Sequence, residues 1–297
     1  MRHVLAATDF SQPSDVALER AALVAAAHPG ADLTILHVLS APGLEVVRRM
    51  LGEAAAAMEP RVTAEAEEKL AATAEALHAR HGCKVQTRLV QGKAFREIAA
   101  VGNDIQADLL VMGAPGENPA RDFFVGNTTD RVLRKTKRPL LAVRRPAGAA
   151  YRRVLVPVDF SRHAAPLART AASAVPNAEI VLFHAYEVAF ESKFRLAGAT
   201  DDAIDSYREQ AKQAAERQMN ELAASLGLPS GRLRRQIVHG AAVPAILDQI
   251  GQLDADLVAI GKHGESMLGD MLMGSVARRV LVDSPTDVLI SSGADEE

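Results

Sequence analysis

LVQGKAFREIAAVGNDIQADLLVMGAPG (residues 89–116) recurs 148 residues downstream as IVHGAAVPAILDQIGQLDADLVAIGKHG (237–264). Each copy reads as an apolar run, a helical stretch, a second apolar run, and then two glycines separated by two residues. A chain has this pattern when a strand crosses through a helix to a parallel strand and leaves it by a tight turn. After nine intervening residues comes a third glycine, Gly126 or Gly274, which opens another helical pattern.

The rest of the chain is also written twice. HVLAATDFSQ (3–12) matches RVLVPVDFSR (153–162) at an offset of 150, and LTILHVL (33–39) matches IVLFHAY (180–186) at 147, with His37 over His184. GNTTDRVLRKTKRPLLAV (126–143) matches GSVARRVLVDSPTDVLIS (274–291) at 148. So few length changes indicate duplication, and the period is too long for a solenoid repeat, so each copy is a whole domain. RRPAGAAYRR (144–153) is the linker, which sets the domains at 1–147 and 148–297.

Within the first copy, the apolar runs 3–8, 33–39, 85–90, 108–112 and 139–143 have strand length, and most lack polar alternation, as in strands buried on both faces. Between them lie helices. One begins after Ser11, a capping candidate; another is expected to start at Pro60 and stop at Gly82, with a counterpart over 201–227. The charge runs of these second helices read as solvated faces. The fold class is α/β: two tandem doubly wound parallel five-stranded sheets, Rossmann-like, with helices on both faces.

Bulk composition narrows the function. The 297 residues carry a net charge of −3 and an isoelectric point near 6.3, which argues against nucleic acid as a partner. Forty-eight per cent of residues are hydrophobic, yet no run is long enough to span a membrane. A single cysteine, Cys83, excludes an internal disulfide framework and suits a reducing compartment; it reads as an ordinary residue beside the third strand. The amino terminus runs straight into a strand without a signal-like core, so the expected location is cytoplasmic.

The glycines carry the chemistry. In a doubly wound sheet, ligands sit beyond the carboxyl ends of the strands. Gly261 and Gly264 permit positive φ and close backbone approach, so that N–H groups can converge on an anion. Gly274 and Ser275 then open a helix whose unpaired N–H groups and positive dipole end favour phosphate. Lys262 and His263, between the first two glycines, would add positive charge. The common nucleotide loops G-x-x-x-x-G-K-[ST] and G-x-G-x-x-G are absent, as are G-x-S-x-G and H-E-x-x-H. His37 and His184 read as partly buried, hydrogen-bonded histidines.

The spacing G-2x-G-9x-G-[ST] after a strand, together with PVDFS at the end of the first strand, resembles the universal stress protein family over nearly the whole chain, as a tandem pair. The resemblance implies the adenine nucleotide alpha hydrolase-like form of the fold and an adenine nucleotide, ATP accompanied by Mg, as ligand. It places Pro157, Val158 and Asp159 at the first strand of copy two and Ala185 against the adenine. Ile260, Gly261 and Gly264 follow the fourth strand, and Gly274, Ser275 and Val276 hold phosphates. Asp159 reads equally as a capping carboxylate.

In copy one the matching positions are Ala7, Thr8, Asp9, Val38, Met112, Gly113, Gly116 and Gly126, but Asn127 stands where Ser or Thr belongs. Ala114 and Pro115 replace Lys262 and His263. Tighter binding is therefore expected in copy two.

The family implies a stress-response protein that is usually dimeric and at most weakly hydrolytic. The function expected is a nucleotide-gated binding or signalling module. The alternatives are a slow ATPase or nucleotidyl-transfer enzyme, with Asp159 and Asp270 as the candidate carboxylates, and a scaffold with relic loops. The halves are expected to form an internal pseudo-dimer through residues 139–143 and 287–291. Whole chains would associate further as a homo-oligomer, alongside a protein partner of unknown identity and no membrane or nucleic acid.

Overall fold

The computed structural model describes residues 1–40, 53–114, 127–188, 196–262 and 273–292, with the side chains of 53–57 and 127 excepted. The chain divides into two compact units. The first is Met1–Ala150 with Ser173–Pro176, and the second is Tyr151–Ala172 with Asn177–Glu297.

In unit 1 the strands are β1 (His3–Thr8), β2 (Asp32–Ser40), β3 (Lys84–Gly92), β4 (Leu109–Gly113) and β5 (Leu140–Val143). The helices are α1 (Gln12–Ala26), α2 (Glu53–His81), α3 (Ala94–Asp104) and α4 (Asn127–Leu133). Strand order is β3-β2-β1-β4-β5, and all pairs are parallel. Val4, Leu5 and Ala6 of β1 are fully buried in succession, so both faces of the sheet are covered, as runs without alternation predict. α1 packs on α2, and α3 on α4. Outer strand β3 departs from the pattern, with five of its nine positions exposed and none buried.

Unit 2 repeats this with β6 (Arg153–Pro157), β7 (Glu179–Tyr186), β8 (Leu233–His239), β9 (Leu257–Gly261) and β10 (Asp287–Ser291). Its helices are α5 (Ala164–Ala174), α6 (Asp201–Leu226), α7 (Ala242–Gln252) and α8 (Ser275–Asp283). The order is β10-β9-β6-β7-β8, again parallel throughout. In both units the chain reverses its direction of travel across the sheet at the first strand. A crevice therefore opens between the carboxyl ends of the first and fourth strands.

Repeated local devices hold this frame. The Asp108 carboxylate accepts the N–H groups of Arg2 and His3, tying the start of β4 to the start of β1. Asp256 does the same for Arg152 (2.8 Å) and Arg153 (3.0 Å). Burial pushes the Asp108 carboxyl up, but the two N–H donors, with the nearby amino terminus and His3, more than offset it and leave it below the usual carboxylate range.

Helix termini show where local chemistry was read correctly and where not. α2 stops at Gly82 (φ 69°) and α6 at Gly227 (φ 63°), both left-handed, and Thr200 caps α6 by accepting the Ala203 N–H. α2 begins at Glu53, so Pro60 lies inside the helix and does not open it. Ser11 stands at the N-cap position of α1 without a side-chain cap, because its hydroxyl goes to Asp9. Cys83 is buried just before β3, and burial pushes its thiol pKa up, as expected of a packing residue.

Candidate functional site

The crevice of unit 2 is a cavity of about 330 Å³ at the carboxyl ends of β6, β7 and β9. That volume lies at the lower end of small-molecule pockets, roughly 300–1,000 Å³. Pro157, Val158 and Asp159 line it from the end of β6, Ala185 from β7, and Ile260 and Gly261 from β9. Gly274, Ser275 and Val276 close it at the start of α8. Nine positions spread over 120 residues of sequence thus surround one space. Gly264 and His263 lie outside the described residues, as does Asp270.

One wall is a strained turn. Phe160 has φ 59°, a left-handed value that is costly for a bulky residue, roughly 1–2 kcal/mol. Two contacts hold it there. The Asp159 carboxylate accepts the Ser161 N–H at 3.0 Å, and the Phe160 ring packs on His184 with centroids 4.3 Å apart. His184 Nδ1 lies 2.8 Å from the Val158 carbonyl oxygen, which can only accept, so the Nδ1–H tautomer is fixed. Unit 1 builds the same turn from Phe10 (φ 61°), Asp9, Ser11 and His37. Both histidines are partly buried and hydrogen-bonded, in agreement with the sequence reading.

The opposite wall is a helix start. The first intrahelical bond of α8 runs from the Arg278 N–H to the Gly274 carbonyl at 2.9 Å. The N–H groups of Ser275, Val276 and Ala277 precede it and have no acceptor within the helix, while all three residues line the cavity. With the dipole of a nine-residue helix behind them, they form an anion-binding end.

The backbone corrects part of the glycine argument. Gly261 ends β9 in extended conformation and so does not use the positive φ expected of it, and Gly274 lies outside that region too, at φ −59° and ψ 153°. Nor are their neighbouring donors free for a ligand. The Lys262 N–H bonds the Ser291 carbonyl at 2.7 Å, extending the β9–β10 ladder, and the Gly274 N–H bonds the Lys262 carbonyl at 2.9 Å. These bonds pin the two ends of the intervening loop together. Lys262 is 6% exposed and is not among the residues lining the cavity. What glycine supplies at the fourth strand is close approach. A Cβ on Gly113 would stand 2.7 Å from the Pro13 carbonyl oxygen at the start of α1.

Several wall residues were missed by sequence reasoning. Ser161 and His163 come from the turn into α5, Ala164 and Leu167 from α5 itself, and Ala242 and Ile246 from α7. The spacings i to i+3 and i to i+4 were the available signal, but on a buried helix face they read as ordinary core.

Unit 1 has the equivalent cavity, about 390 Å³, lined by Ala7, Thr8, Asp9, Val38, Met112 and Gly113 among others. Gly116 and Gly126 lie outside the described residues; Asn127 opens α4, its side chain likewise outside them. Thr128 and Thr129 line this cavity where Val276 and Ala277 line the other. Among the described residues, no cluster of three or more His, Cys, Asp or Glu side chains is arranged to hold a metal ion in either unit, and no helix is long and apolar enough to cross a membrane.

Comparison with known proteins follows the same division. The profile of the Universal stress protein family matches residues 1–144 and again 150–292. A universal stress protein of Mycolicibacterium smegmatis is 24% identical over 303 aligned positions, which cover 97% of this chain and 96% of that one. A universal stress protein of Methanocaldococcus jannaschii is 24% identical over 156 positions, 48% of this chain and 95% of its own length. The crystal structure of a universal stress protein from Archaeoglobus fulgidus superposes with a TM-score of 0.73 at 21% identity, covering 98% of both chains.

Proposed function

The chain belongs to the universal stress protein family, and from that premise we propose that it is an ATP-binding stress-response protein whose second half is a nucleotide-gated binding or signalling module. One observation carries the reading. The positions that the family pattern assigns to nucleotide, Pro157 to Asp159, Ala185, Ile260, Gly261 and Gly274 to Val276, surround a single cavity that ends on the first-turn N–H groups of α8. The apolar stretch between Ala185, Ile246 and Leu167 suits a flat base, and the α8 terminus suits phosphates.

In this reading the adenine lies toward Ala185 and Asp159, and the phosphates lie at Ser275 and Val276. Mg accompanies the phosphates. Occupancy changes the charge presented at the start of α8 and thereby alters contacts with a partner. The setting is cytoplasmic, and the assembly is a homo-oligomer of chains that each contain two similar halves.

The test is nucleotide analysis of the purified full-length chain, followed by calorimetric titration with Mg-ATP and a phosphate-release assay. Bound ATP without turnover is the expected result. Release of phosphate at a steady rate would move the protein to the slow ATPase class. Failure to bind ATP under any condition would leave a scaffold with relic loops and overturn the proposal.

A further inference from the structure

The two cavities have the same frame but differ at one corner, where the first strand turns into the first helix. In unit 2 that corner presents the aliphatic side chains of Val158 and Ala164. In unit 1 the same positions are Thr8 and Ser14, 6% and 5% exposed, with Oγ atoms 3.0 Å apart.

Proton accounting defines what this corner offers a ligand. The Ser14 hydroxyl donates to the Ser11 carbonyl at 2.8 Å, since a carbonyl only accepts. Thr8 must therefore be the donor in the Thr8–Ser14 pair. Thr8 Oγ1 in turn accepts the Phe10 N–H at 3.0 Å. The Ser11 hydroxyl and N–H both go to Asp9. All three hydroxyl protons are spent within the protein, and the corner presents only lone pairs and a carboxylate. Burial pushes the Asp9 carboxyl up, but the hydrogen bonds from the Ser11 hydroxyl and N–H lead the interactions that outweigh it and hold it low, so it is ionised at neutral pH.

The remaining wall is apolar at Leu36, Val38, Ile98 and Met112 and carries two threonines, Thr128 and Thr129, from the start of α4. Among the described residues no lysine, arginine or histidine lines this cavity. The acceptor-only corner, set beside these apolar side chains, matches a group that donates several hydrogen bonds from a positive charge.

We infer that the cavity of unit 1 is a binding site for a primary amine carried on an apolar or aromatic body, with its ammonium group seated between Asp9, Thr8 and Ser14. Such an ammonium has three donors for the three acceptors. Its apolar body fills the space toward Ile98 and Met112. The two halves of the chain thereby take ligands of opposite charge. The inference does not rest on ATP binding in unit 2, so either can fail while the other stands.

The probe is 2-phenylethylamine, protonated at pH 7, titrated into the full-length chain and followed by ligand-observed NMR. Saturable binding at one site is expected. 2-Phenylethanol, which has the same body without the charge, should bind at least about tenfold more weakly. Asp9→Asn keeps an oxygen for the Ser11 N–H and should weaken amine binding at least about tenfold. Thr8→Val combined with Ser14→Ala recreates the unit 2 corner, which this chain already folds, and should weaken it several-fold. Asp159→Asn should leave amine binding unchanged, and thermal melts confirm that each variant is folded. No binding, equal binding of alcohol and amine, an unaffected Asp9→Asn variant, or loss in Asp159→Asn would each overturn the inference.

Discussion

Placing a carboxylate on the α8 terminus separates the fold from the proposed ligand. Ser275 is the first residue of α8, exposed on the rim of the unit 2 cavity. Ser275→Asp puts negative charge where the helix dipole favours it, a gain of roughly 0.3–1 kcal/mol to the helix. The melting temperature should therefore hold or rise. The same carboxylate would stand about 4 Å from a phosphate oxygen, a repulsion of ~4 kcal/mol at an effective dielectric of 20. Screening at an exposed rim reduces this to about 2 kcal/mol, and the lost hydroxyl removes a donor worth ~1.5 kcal/mol. Together they predict a several-hundredfold loss of ATP affinity. Ser275→Ala loses only the donor and should bind about tenfold more weakly. Calorimetry with Mg-ATP on the wild type and both variants, beside thermal melts, reads both quantities. An Asp variant that binds ATP like the wild type would show that the phosphates are not at this helix.

The whole chain should titrate with close to one tight ATP, and Ser275→Asp should remove that phase, whereas two equal tight sites would contradict the ranking of the halves. Because the Asp108 carboxyl is held below its unfolded value of about 3.9, its contribution is present above that pH and lost as pH falls through the lower folded value. Asp108→Asn should therefore flatten the acid limb of stability measured by urea midpoints, and cost roughly 1–2 kcal/mol at neutral pH. Residues 1–147 and 148–297 expressed apart should associate in sedimentation experiments, and no mutual affinity would dismiss the internal pseudo-dimer. Cys83 should react with a thiol reagent only as fast as the protein opens, so prompt labelling of the native chain would refute its burial.

Strands were the most legible elements, because a two-sided buried strand is a continuous apolar run. The expected segment 33–39 sits within β2, and 139–143 begins one residue before β5. Outer strand β3 was legible as a strand but not as a partly exposed one, since edge position depends on strand order. Pro60 misled because its ring is tolerated at a helix start and equally, at a cost, inside a helix that tertiary packing supports. The two glycines Gly261 and Gly274 were found for a reason only half right. Their place beside the cavity followed from spacing, but their φ values could not. The donors lost to Ser291 and Lys262 were invisible because they are long-range backbone bonds. The Thr8–Ser14 corner was passed over because TDFSQPS reads locally as a helix-start sequence, and the destination of each hydroxyl proton is a three-dimensional matter.

Duplication left the two halves unequal freedom to diverge, and the structure shows where. The fourth-strand glycine has no latitude, since a side chain on Gly113 would strike the Pro13 backbone, which no rotamer change can relieve. The aspartate at the first-strand turn is held by the N–H of Ser11 or Ser161, and the phenylalanine after it by a stacked histidine, so these too recur in both halves. The positions behind that turn are different. Thr8 and Ser14 replace Val158 and Ala164 with little change in volume, Thr8 donating to Ser14 and Ser14 to the Ser11 carbonyl. Exchanging that pair strands no hydroxyl proton in either version, and its cost is the Thr8 oxygen that accepts the Phe10 N–H. It nevertheless changes the wall from aliphatic to acceptor-only. Ligand preference can thus change at this corner without disturbing the sheet, and it is here that a reversed preference would be engineered first.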